Sequence, residues 1–154
     1  IGYQKRTFKR NWKSWRRIRV TMTTNAIYDL LIDSVMENIT GEWTIARLNV
    51  QFLANGQDIE FVGTYLNPAG EVQPLSTDFA DDLTEAMQEL HQTRKRESLP
   101  RANQLQMDLT TACNYTVEYR WDQEIQDEDD HFSNGGTARE WQAIRTAKYG
   151  DQSA

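Results

Sequence analysis

Two histidines, one cysteine and a crowd of carboxylates are the side chains here whose types could do chemistry. A Cys-His nucleophile needs its thiol and imidazole within hydrogen-bond reach. His91 and His131 are separated by forty positions and Cys113 falls between them at an expected strand end, so only a folding coincidence would join them. His91 lies on a helical stretch between Glu89 and Arg94, and His131 closes an acidic run. The expected state of both is a solvated surface imidazole. Metal-ligand spacings such as Cys-x-x-Cys or His-Glu-x-x-His are absent, and Gly56, Gly63 and Gly70 read as turn or strand glycines instead of a phosphate-binding loop. The residues therefore point to no catalytic group, no metal and no cofactor, and the expectation is a protein that is not an enzyme.

The carboxylates carry the functional reading. Asp122, Glu124, Asp127, Glu128, Asp129 and Asp130 crowd the stretch "DQEIQDEDDHFSNGG", which reads as a polar loop. It does not have the register of a calcium-binding EF-hand, because the central glycine and terminal glutamate are missing. Clustered carboxylates steer a cationic protein and pair with its Arg and Lys, so the loop is expected to be a recognition surface, with Trp121 before it and Trp141 after it as nearby aromatic residues. Asp78, Asp81, Asp82 and Glu85 form a second acidic group in the first half of a helix read over 77 to 95, and are expected to add contacts to the same partner.

Charge is unevenly distributed. The 154 residues carry 17 basic and 23 acidic side chains, a net of −6. Before Met22 stand eight Lys or Arg and no acid, which leaves nine basic and 23 acidic residues, −14, from Met22 onward. Such a surface repels phosphate, so the acidic body is not expected to bind nucleic acid directly. In residues 3 to 20, Phe8, Trp12, Trp15 and Ile18 make one aromatic and aliphatic stripe of a basic helix, of a kind that can contact an anionic membrane, nucleic acid or protein surface. The chain begins at Ile1, and Met22 opens "MTTNAIYDLL" like a natural start, so residues 1 to 21 are read as a basic appendage and 22 to 154 as one acidic domain. A lone cysteine, no apolar run of membrane-spanning length and no secretory h-region lead to an expected cytoplasmic location.

These residues need a scaffold, and the hydrophobic period supplies one. Ile27, Leu30, Leu31, Val35 and Ile39 recur at helical spacing after a cap at Thr24 or Asn25. Ala46, Leu48, Val50 and Phe52, then Ile59, Phe61, Gly63 and Tyr65, alternate as strands around the hairpin signal Asn55-Gly56. "NPAG" turns into a short third strand over 71 to 75. A helix follows, capped by Ser76 or Thr77, with Phe79, Leu83, Met87 and Leu90 inward and Arg94, Lys95 and Arg96 at its negative end. Leu105, Met107 and Leu109, then Tyr115, Val117, Tyr119 and Trp121, form two more strands joined near Cys113 and Asn114. Thr137-x-x-Glu140 is a capping box for a last helix with Trp141 and Ile144 inward. The order α-β-β-β-α-β-β-α predicts a single α+β domain with an antiparallel sheet of four to five strands and helices on one face.

This arrangement resembles the YezG-like immunity proteins, cytosolic bacterial antitoxins. The resemblance spans residues 24 to 150 and rests on Gly41-Glu42-Trp43 entering the first strand, the aromatic second strand through Tyr65, the strand end Tyr119-Arg120-Trp121-Asp122 and a closing helix with Trp141. It implies an inhibitor that binds a cognate polymorphic toxin, often a nuclease. A nuclease must present a basic cleft to phosphate, which an acidic protein can occupy or seal. The alternative from the same sequence is an adaptor that binds membrane or nucleic acid through its basic arm.

Overall fold

The computed structural model describes residues 22 to 150, and the basic arm lies outside them. Helix α1 (Thr24–Glu37) is followed by β1 (Ile45–Leu53), a 3-10 turn (Ala54–Gly56), β2 (Asp58–Leu66), β3 (Val72–Pro74), α2 (Asp81–Arg96), β4 (Gln104–Thr110), β5 (Tyr115–Arg120), α3 (Gln123–Ser133) and α4 (Ala138–Tyr149). It is the expected α+β domain, with one helix more among the described residues than their periodicity suggests. The five strands form an antiparallel sheet in the order β3-β2-β1-β4-β5.

Period-two alternation decides which face of the sheet is covered. Ala46, Leu48, Val50 and Phe52 of β1 and Leu105, Met107 and Leu109 of β4 are buried. They meet Ile27, Leu31 and Val35 of α1 and Leu83, Met87 and Leu90 of α2 in one core. Tyr119 reaches the same side, where its hydroxyl and that of Tyr28 lie 2.6 Å apart in a hydrogen bond. The intervening residues emerge on the other face. There Arg47 grips Asp108 through two hydrogen bonds of 2.7 and 3.1 Å, and Arg120 holds Glu118 at 2.9 Å.

Several helix ends differ from expectation for local reasons. The cap of α1 is Thr23, whose hydroxyl accepts the Ala26 N–H at 3.1 Å. Neither Ser76 nor Thr77 caps α2; the cap residue is Ala80, without a side-chain bond. Phe79, just before that cap, packs edge-on against Phe61, centroids 5.1 Å apart. Asp81 and Asp82 still occupy the first turn and Arg94, Lys95 and Arg96 the last, as the helix dipole favours.

Leu31→Ala, at a fully buried position, is expected to lower unfolding stability by about 2–5 kcal/mol. Val62→Thr on the open face should change it by no more than about 0.5 kcal/mol. Urea titrations of the two variants check this contrast.

Candidate functional site

The acidic stretch after Trp121 is a helix, not a loop. Asp122 caps α3, its carboxylate accepting the N–H groups of Glu124 at 2.9 Å and Ile125 at 3.4 Å. No buried apolar residue marks this helix, so periodicity was a poor guide. The missed signal was local: an Asp cap and an acidic first turn, stabilised by the positive end of the helix dipole.

Three faces of α3 have three uses. Glu124, Asp127 and His131 turn toward α4. Arg145 donates to Glu124 at 3.1 Å, while Asp127 accepts from Lys148 at 2.6 Å, from Gln123 at 2.9 Å and from the Tyr149 hydroxyl. His131 is no solvated imidazole: Nε2 bonds the Thr137 carbonyl oxygen at 2.9 Å and the ring lies against Trp141, centroids 5.8 Å apart. The Thr137/Glu140 capping box forms as expected. Trp141 is buried, but Ile144 is 45% exposed, because α4 docks through Trp141 and ion pairs and not through a wide apolar stripe.

Ile125, Glu128, Asp129 and Phe132 occupy the second face at helical spacing. With Gln51, Leu53 and Glu60 from the hairpin end of the open sheet face they line a cleft of about 360 Å³. Asp129 also braces the hairpin, accepting the Ala54 N–H at 2.9 Å. That bond steadies a turn in which Ala54, Asn55 and Gly56 all have left-handed φ, a conformation costly for alanine. Glu60 and Glu128 are exposed, Phe132 is 43% exposed, and among the described residues no basic side chain lines the cleft. On the third face Asp130 accepts from Gln126 at 2.8 Å and is otherwise solvent-facing.

The second acidic group belongs to another helix. Asp81, Asp82 and Glu85 belong to the N-terminal half of α2 and Asp78 precedes it, while it is the C-terminal end of that helix that shares a cleft with α3 through Gln126.

Cys113, His91 and His131 each pack against different neighbours. Cys113, in a left-handed turn, has its Sγ 3.8 Å from the Met36 Sδ. His91 is half-buried and stacked on Phe52, centroids 5.2 Å apart, instead of solvated. Burial, and then the nearby Lys95 and Arg94, hold its pKa below the ordinary histidine value. A Cβ on Gly56 would fall 2.3 Å from this ring, so the glycine answers a close approach as well as its positive φ. Among the described residues no three His, Cys, Asp or Glu side chains converge in a metal-binding group. No helix among them is long and apolar enough to cross a membrane.

Comparison with known protein families and with curated proteins finds no match to the chain.

The hydrogen bonds from Lys148 first, then Tyr149 and Gln123, hold the Asp127 carboxyl well below the usual range, at about 2. A carboxylate depressed by folding contributes stability above its unfolded pKa and loses it as pH falls through the folded value. The α3–α4 contact should therefore weaken between about pH 4 and about pH 2. In Asp127→Asn this component of the acid transition should vanish from the tryptophan fluorescence, and an unchanged profile would assign the transition elsewhere.

Proposed function

We propose that the protein is a non-catalytic binding protein of the immunity type, which neutralises a basic toxin domain, of nuclease character, in the cytoplasm of the cell that makes it. One observation carries the reading most directly. The cleft between α3 and the open sheet face combines Glu60, Glu128 and Asp129 with the apolar Leu53, Ile125 and Phe132, without a basic residue among the described residues that line it.

A Lys or Arg loop of a partner would find paired carboxylates there and an exposed aromatic ring beside them, the combination of charge and apolar anchor that gives both steering and grip. The excess of acids from Met22 onward accelerates encounter with such a partner. Among the acids of α3, Glu128 and Asp130 are the exposed contributors, because Asp122, Glu124, Asp127 and Asp129 already serve the fold through a cap, two ion pairs and the hairpin brace. Asp78, Asp81, Asp82 and Glu85, on and just before α2, would add contacts to the same partner. The resemblance to YezG-like antitoxins supports the same assignment through its strand and helix patterns.

The test is inhibition of the toxin domain encoded next to this protein. Nuclease activity should disappear at equimolar protein, and activity that survives a large excess would end the proposal. The double substitution E60K and E128K should slow association by about tenfold and flatten its salt dependence. An unaltered rate would move the interface away from this cleft.

A further inference from the structure

The third face of α3 borders a second cleft, opposite in sign to the first. The C-terminal end of α2, the segment 99 to 103, Phe52, Asn55, Trp121 and Gln126 enclose about 370 Å³, within the size class of small-ligand sites. Arg94, Lys95 and Arg101 line it, and among the described residues no carboxylate does.

Among the described residues Arg47, Arg120, Arg145 and Lys148 are neutralised by carboxylates within 4 Å. The three cations of the cleft are held by other means. Arg94 lies 3.6 Å over the centroid of the Tyr119 ring and donates to the Pro100 carbonyl oxygen at 2.9 Å. Arg101 lies 4.0 Å over the Trp121 ring, whose Nε1 is fixed by Gln123 at 3.0 Å. Lys95 donates to the Asn55 side-chain oxygen. Aromatic faces and neutral oxygens position these charges without cancelling them. Holding them in place beforehand lowers the ordering cost of binding an anion.

We propose that this cleft binds a phosphorylated small molecule bearing a flat ring, the chemistry of a nucleoside phosphate. Three positive charges without a carboxylate suit a dianionic phosphate, and Arg supplies the forked N–H pairs that phosphate oxygens accept. Trp121 and the Phe52–His91 stack provide aromatic surface, and Leu99, Pro100 and Ala102 provide apolar wall for the ring. The assignment is independent of toxin binding, which is placed on the acidic cleft across α3.

Calorimetric titration of the full chain with AMP, adenosine and inorganic phosphate tests it. AMP should bind, with adenosine and phosphate each weaker by about tenfold or more, since each lacks half of the recognition. Lys95→Gln and Arg101→Gln, at exposed positions, should each weaken AMP by about fivefold, whereas Arg139→Gln, a cation on α4 outside the cleft, should leave it unchanged. Circular dichroism of the variants checks that they fold. No heat with AMP up to millimolar concentration overturns the proposal, as does unchanged affinity in both cleft variants. Binding of a glutamate-rich peptide where AMP does not bind overturns it in favour of an acidic protein partner.

Discussion

Burial of the Ala46, Leu48, Val50 and Phe52 row of β1 against α1 and α2 is the constraint on which the remaining geometry depends. Once the even positions of that strand turn inward, the odd ones must turn outward, and Gln51 and Leu53 come to face α3. The stripe Leu83, Met87 and Leu90 then sets the roll of α2, so that its basic last turn lies beside Phe52 and Asn55 at the hairpin end. Each cleft is a by-product of how the same strand end is covered.

Helix α3 separates two regions of opposite charge. It has no core of its own and stays helical because its polar side chains are used in turn: a cap, two ion pairs to α4, a brace to the hairpin and a histidine on the Thr137 carbonyl. Ion pairs in such partly solvated positions contribute modestly each, on the order of 1 kcal/mol. Their value is in fixing orientation. With Glu124 and Asp127 committed to α4, Glu128 is directed to the acidic cleft and Gln126 to the cationic one.

An acidic protein with a carboxylate-free cationic pocket shows how little a net charge says about a given surface. The strand ends place Tyr119 and Trp121 where they can hold Arg94 and Arg101 through their ring faces, which keeps guanidinium charge available amid an excess of acids. Neutral partners achieve what an Asp or Glu would have undone.

By itself the sequence determined the strands, because strict alternation has one solution for a half-buried sheet, and the capping box, because Thr137 and Glu140 satisfy each other's backbone within one turn. It determined most of the core too: Leu31, Leu48, Met87 and Leu105 fall at the expected periods. It could not show α3, whose stability comes from partners 21 residues away on α4 and from the hairpin, or the exposure of Ile144 that follows from that docking. Tertiary packing sets which carboxylates remain exposed and which are consumed, and it gathers Arg94, Lys95 and Arg101 in one cleft with Trp121. Charge and hydrogen-bond pairing between distant segments has no period along a chain, whereas burial on a helix or strand does.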